Sequence, residues 1–359
     1  MFYRTFIICL CLLACKNPQN EDTDSDTDSD TDLEDTDQVG PCATPTVTFQ
    51  DSTGSSQDLT DYFLSGEYIT LGLPGTITAC PGTWFVRILL RADIEVIGLG
   101  ENPRETIFSG GESGTILDIA GPDVRVTVDN LTLDRGAGLD VSHNSGGGAI
   151  YCEQNGHVDV TRVQFTNNFA NDGAAMYGRN CVFTVSDTHF EDNVSEDDGG
   201  AVTLWDSSAT FTDVTLKNNS ALDGGAMALF NSELTASNMS VIGNRATNFG
   251  AGIWAYDSVT TLNDVTFDNN LNEGSDYGGG LIVFGTATLN RVSFNNNTAP
   301  LGGGLYVYYD GVVDGTNCSF NGNAPEDIFA ANYSASGGES YMGSTNYSFR
   351  CAENTCTPK

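Results

Sequence analysis

From Gly147 to Asn323 the hydrophobic and polar positions recur in blocks. Small-residue clusters open at Gly147, Gly173, Gly199, Gly224, Gly250, Gly278 and Gly302, giving units of 26, 26, 25, 26, 28 and 24 residues. Each unit holds three short stretches in which apolar and polar residues alternate, as in AIYC, HVDV and RVQF. Period-two alternation is the mark of a half-buried strand. Gly, Asn and Asp separate the stretches, as corners require. Three short strands per turn predict an all-β solenoid, a parallel β-helix. The coil is longer and less even than one built on hexapeptides, which favours the right-handed form.

The alternation also predicts the core. In the first strand, Ile150, Met176, Val202, Met227, Ile253, Leu281 and Leu305 form one inward column. Cys152, Gly178, Leu204, Leu229, Ala255, Val283 and Val307 form a second. In the third strand the inward column is Phe165, Phe190, Leu216, Val241, Phe267, Phe294 and Phe320. Three residues beyond it stands Asn in every unit: Asn168, Asn193, Asn219, Asn244, Asn270, Asn297 and Asn323. An amide has two donors and an acceptor, so stacked Asn side chains can bond from coil to coil and to the bending backbone. The column reads as a structural ladder rather than a ligand set.

Upstream, runs such as IEVIGLG and VRVTVDNLTL read as irregular early coils, which extends the β-helix over residues 76–327 with about ten or eleven coils. At about 4.8 Å per coil the rod is roughly 50 Å long. Its open ends need covers, because a bare strand edge is a template for association. Residues 41–75 would cap one end, with SQDLTDYFLSG (Ser56 to Gly66) as a short helix, and residues 328–359 the other.

The paired GGA(I/V/L/M) and F-x-x-N motifs resemble the polymorphic outer membrane protein repeats of bacterial autotransporter adhesins. GGAIYC, FTNN, FEDN, GGAV, FDNN, FNNN and FNGN carry the match, over Gly147 to about Asp327. Leu216 and Val241 depart from the pattern. The resemblance implies a β-helix and an adhesive role. Those relatives end in an outer-membrane barrel, whereas about 30 residues follow the last repeat here.

The chain opens MFYRTFIICLCLLAC, with Arg4 ahead of an apolar run too short to span a bilayer. This resembles a bacterial lipoprotein signal peptide over residues 1–14, although Leu13 is larger than usual at its place. The resemblance implies cleavage before Cys15, lipidation of Cys15 and, with Lys16 following, an outer-membrane anchor. An ordinary secretory signal is the alternative. Residues 15–40 would then hold the lipidated Cys and an acidic tether, Asn20 to Asp37, with ten acidic residues and almost no apolar ones.

The net charge of -34 excludes loose docking on nucleic acid or anionic lipid. Without the tether's ten acids and with Arg4 and Lys16 removed, 38 acidic and 12 basic residues leave about -26 on the remainder. Ten Cys less Cys9, Cys11 and Cys15 leave seven. Export suits disulfides. Spacing and coil position pair Cys351 with Cys356, Cys152 with Cys181 and Cys42 with Cys80, with Cys318 left as a buried thiol.

The outward positions of the first strand ask for an explanation. Nine of fourteen are aromatic: Tyr151, Tyr177, Trp205, Phe230, Trp254, Tyr256, Phe284, Tyr306 and Tyr308. Solvent-facing strand positions are usually polar. Three readings stand: flat rings stacking on a glycan, docking of a protein partner, or structural stacking that stiffens the rod. For catalysis, Asp187 and Asp213 would sit on neighbouring coils, though Asp in register also serves turns. His143, His157 and His189 lack an evident nucleophile partner. No phosphate loop, zincin motif or nucleophile elbow occurs, and no cofactor or metal site is called for. The acidic corner EDDGG (Glu196 to Gly200) is either a place for calcium or a solvated turn. The reading is an exported, surface-exposed, lipid-anchored, monomeric β-helix acting as a non-enzymatic adhesion module for a glycan or a surface protein. A polysaccharide-active enzyme, pectate-lyase-like or a glycosidase, is one alternative, and a structural envelope protein the other.

Overall fold

The computed structural model describes residues 42–138, 146–332, 338–342, 347–353 and 355–359. The signal region, Cys15, the tether and His143 lie outside them.

The alternating stretches become strands that stack coil on coil. One face runs Tyr68–Leu71, Arg87–Leu90, Leu117–Ile119, Ile150–Glu153, Met176–Arg179, Val202–Trp205 and Met227–Phe230. It continues through the first residues of Ile253–Asp268 and Leu281–Asn290 to Leu305–Val307 and Ile328–Ala331. Every neighbouring pair is parallel and in register. A second and a third face stack likewise. From Val182–Glu191 onward they mostly merge into one strand per coil, bent at a left-handed residue such as Asp187 (φ 47°), Asp213 (φ 56°) or Asn238 (φ 52°).

The inward columns are buried without exception in Ile150 to Leu305 and in Phe165 to Phe320. Phe165 and Phe190 stack with centroids 4.6 Å apart, as do Phe267 with Phe294 at 5.0 Å and Phe294 with Phe320 at 4.9 Å. Where Leu216 and Val241 interrupt the column, Phe211 from the second strand moves in beside Phe190 at 6.2 Å. Gly178 is small for a similar reason: a Cβ there would stand 2.2 Å from the Phe183 ring.

The Asn column is a continuous hydrogen-bonded ladder. In Asn168, Asn193, Asn219, Asn244, Asn270 and Asn297, the side-chain nitrogen donates to the next Asn Oδ1 at 2.8 to 3.0 Å. Asn323 ends the run by donating to Asp327 at 2.8 Å. Just beyond the ladder lies an element absent from the three-strand expectation. The two-residue strands Ala137–Gly138, Phe169–Ala170, Val194–Ser195, Ser220–Ala221, Arg245–Ala246 and Leu271–Asn272 form a small sheet of their own. Two residues are too few to show a period. The chain then reverses at the first Gly of each cluster, whose φ lies between 54° and 76° from Gly147 to Gly302, a region costly for any side chain.

Both ends are covered by antiparallel strands. Val47–Asp51 pairs with Ser56–Asp58 and with Gly75–Ala79. The expected helix over Ser56 to Gly66 is therefore shorter, Thr60–Ser65, closed by Gly66 at φ 70° and seated on buried Phe63. At the far end Tyr347–Ala352 closes the Val312–Asn321 edge, with Phe349 fully buried. Disulfides join Cys42 to Cys80, Cys152 to Cys181 and Cys351 to Cys356. Cys318 is a buried free thiol whose pKa burial raises.

Candidate functional site

The aromatic residues of the first face separate into two columns with different fates. Tyr151, Tyr177, Thr203, Ala228, Trp254, Ile282 and Tyr306 make the first, and most of it is buried. Tyr151, Tyr177 and Tyr306 are 5%, 3% and 0% exposed, which corrects the expectation that they face solvent. Their cover is the chain just before each Gly cluster. The Gly146 backbone lies on the Tyr177 ring, so that a Cβ there would stand 2.7 Å from it. Phe249 stacks on Trp254 at 5.7 Å and Tyr277 on Tyr306 at 4.7 Å. Burial pushes the Tyr177 hydroxyl up to about 12 and raises those of Tyr151 and Tyr306 further.

The second column is Glu153, Arg179, Trp205, Phe230, Tyr256, Phe284 and Tyr308. Here the rings run up the rod, each against the next. Trp205 stacks on Phe230 (3.9 Å, 13°) and Phe284 on Tyr308 (3.7 Å, 18°). Rings stacked along the axis spend their faces on one another and turn edges outward, and Phe230 is 7% exposed. Phe230 and Phe284, each with a ring on both sides, have no face left for a sugar, whereas Trp205 ends the row with a single ring neighbour among the described residues. Tyr256 differs: it is tilted 46° to Phe230 and 39° to Phe284, and is 41% exposed.

Directly after this column the chain turns a corner, and the corner is a groove of about 470 Å³. Asn155, Asn180, Asp206, Asn231 and Asp257 line it, one per coil and all with positive φ. His157, Ser208, Glu233, Val182 and Val259 form its other wall. Beneath runs a second buried ladder that the strand pattern did not disclose. Cys181, Ser207 and Ser232 donate their backbone N–H to the hydroxyls of Ser207, Ser232 and Ser258 at 3.0 to 3.1 Å. The signal was present as a hydroxyl two residues past the outer aromatic column.

The repeat, the stacked register and the two ladders define one fold, and the family described as right handed beta helix region matches residues 119–299. The chain belongs to that β-helix family. Among solved structures it is similar to PfbA, a surface adhesin of Streptococcus pneumoniae, at 10% identity and a TM-score of 0.29, over 81% of this chain and 90% of that one. No curated protein sequence matches it.

Immediately before the Gly clusters, in the segment that covers the first aromatic column, this β-helix stacks Asp172, Asp198 and Asp223 on successive coils, and the same column continues as Phe249, Tyr277 and Leu301. Carboxylate oxygens of Asp172, Asp197 and Asp198 lie within 4.8 Å of one another, so these three could hold a cation. Burial, reinforced by Asp172, Asp197 and Asp223, raises the Asp198 carboxyl to about 8, and burial raises Asp223 to about 6. Glu196, at the other end of the EDDGG corner, is exposed and outside this group.

The catalytic candidates Asp187 and Asp213 occupy corresponding corners of neighbouring coils, between the pairs Ser186 with Thr212 and Thr188 with Val214. Both are corner residues in left-handed conformation, and Asp213 accepts a hydrogen bond from Asn238. Turn geometry accounts for them. His189 lines a separate depression with Arg162 and Asp187, and His157 lies in the corner groove. No helix among the described residues is long and apolar enough to cross a membrane.

Proposed function

We propose that this β-helix is a non-enzymatic binding rod of adhesin type, displayed at the bacterial surface, and that it works through the corner groove and the aromatic column beside it. The observation that supports this most is the conjunction of surfaces. Exposed amides and carboxylates recur once per coil, next to the half-exposed rings of Trp205, Tyr256, Phe284 and Tyr308. Apolar rims beside polar grooves suit ligands that need both.

Anchoring through a lipid on Cys15 and kinship with the polymorphic outer membrane protein repeats belong to the same proposal. The three disulfides are in keeping with export. Lipidation is tested by mass spectrometry of the membrane-extracted chain, comparing it with Cys15→Ser.

The binding reading is tested by retention of the purified chain on insoluble polysaccharides and on intact cells, with Tyr256→Ala run alongside. Tyr256 is exposed, so its loss leaves the core intact. Retention that falls in the variant supports the face. Retention unchanged by the variant places the binding elsewhere on the rod.

A further inference from the structure

We infer that the corner groove takes a neutral, extended, linear polysaccharide laid along the rod axis, one sugar ring to each coil. The inference rests on the reading of this face as a binding surface and names its ligand.

Repeat length comes first. Asn155, Asn180, Asp206, Asn231 and Asp257 place one polar side chain per coil over five coils. Asn231 Nδ2 donates to Asp206 Oδ1 at 2.5 Å, and the remaining donors and acceptors of these side chains are what a ligand would meet. Parallel coils are spaced by about 4.8 Å. A pyranose ring linked through carbons on its opposite sides advances the chain by about one such step, so successive sugars meet successive corners in the same way. A globular ligand gains nothing from that regularity.

Chemistry narrows the class. The polar lining is Asn, Ser, Asp, Glu and His, groups that give and accept hydrogen bonds with hydroxyls, and Val182 and Val259 add apolar surface for the faces of sugar rings. No Lys or Arg lines the groove, and the chain carries a net charge of -34. A polysaccharide bearing carboxylates or sulfates would meet Asp206, Glu233 and Asp257 with no cation in the lining, Arg179 standing in the column beside it. Neutral sugars carry no such penalty.

An extended peptide is the other linear ligand to weigh. Peptides dock on β-structure by borrowing open backbone groups. Here those groups are engaged from coil to coil: the N–H of Asn155 donates to Asn180 O at 2.8 Å, that of Asp206 to Phe230 O at 3.0 Å, and that of Asn231 to Tyr256 O at 3.1 Å. What faces the groove is side-chain chemistry, which favours the glycan.

The groove has ends. Beyond Asp257 the register shifts, and Phe284 is followed at once by Gly285, which pairs with Ser258. That coil lacks the corner residue. On the other side the lining stops at Asn155: the preceding corner, Ala120 to Asp123, keeps a left-handed residue in Asp123 (φ 58°) but is a longer turn that contains Pro122. The site is therefore about five sugars long.

The test is calorimetric titration of the purified chain with cello-, xylo- and manno-oligosaccharides of two to eight units, and with oligogalacturonates as the acidic control. Expected is affinity for a neutral series that climbs with each added sugar and levels off near five, with the acidic series weaker. Asn180→Gly combined with Asn231→Gly keeps the left-handed backbone, since Gly adopts it freely, and removes two groove amides; it should weaken the longer oligomers by about tenfold. Affinity that ignores length, or is untouched by the double variant while Tyr256→Ala abolishes it, overturns the groove assignment and leaves the binding face standing. Binding by none of the oligomers also overturns the inference, and retention on cells then decides the broader reading by itself.

Discussion

Asn193 and Asn219 share one oxygen: Oδ1 of Asn219 accepts the side-chain N–H of Asn193 at 2.9 Å and its backbone N–H at 3.0 Å. Asn219 in turn donates to Phe190 O and to Asn244 Oδ1. Replacing Asn219 by Ala would strand two donors of Asn193 in a site with no water access, and would leave Asn244 Oδ1 with only the backbone N–H of residue 219. Each stranded group costs about 1–3 kcal/mol, so the variant should lose about 3 kcal/mol or more in denaturant titration. A loss under about 1 kcal/mol, the usual scale of a surface change, would contradict the ladder's role.

The acidic stack predicts how stability depends on pH. The Asp198 carboxyl is raised from 3.8 to about 8 and Asp223 to about 6, mainly by burial. Across that window the folded chain keeps protons that the unfolded chain has released. Stability should therefore be greatest on the acid side and fall as pH rises from about 4 to about 8. Asp198→Asn keeps the shape and removes the charge. In chelator, it should raise the midpoint of unfolding at pH 8 and flatten the slope. A midpoint unchanged at pH 8 would show that the carboxylates are better solvated than their positions imply.

The Cys152–Cys181 bridge ties two coils across a sequence separation of 29. Chain-entropy arguments put the stabilisation from closing such a loop at about 3–4 kcal/mol. The paired change to Ser should lower stability by about that amount and start unfolding at the first regular coils. Hydrogen exchange of residues 150–190 would locate it.

Thr260 sits in the core at 1% exposure, and its hydroxyl has no partner among the described residues. Thr260→Val keeps the branch and removes the stranded oxygen. A gain of about 1 kcal/mol is expected. A loss would mean that the hydroxyl is satisfied in solution.

The inward columns and the Asn ladder were legible because a solenoid gives each repeated position the same surroundings. Phe165 and Phe320 meet nearly identical neighbours, so the pattern carries the packing. The outward aromatics were not legible in the same way. Whether Tyr306 is bare or covered depends on Tyr277, which lies in a connection with no period of its own. The Ser207–Ser232–Ser258 ladder was hidden because Ser is ordinary at a corner. The N-terminal strand pairing of Phe49 with Ile77 is antiparallel and long-range, beyond any local pattern. Asp187 and Asp213 lie at one corner of neighbouring coils, and their positive φ explains their recurrence without chemistry.

Binding without turnover is the central claim, and one measurement addresses it most directly. The purified chain is incubated with a panel of insoluble polysaccharides, with and without calcium, and both the retained protein and the sugar released into the supernatant are followed. Retention with no new reducing or unsaturated ends is the predicted result. Release of sugar would contradict the account and turn attention to the carboxylates of Asp187 and Asp213.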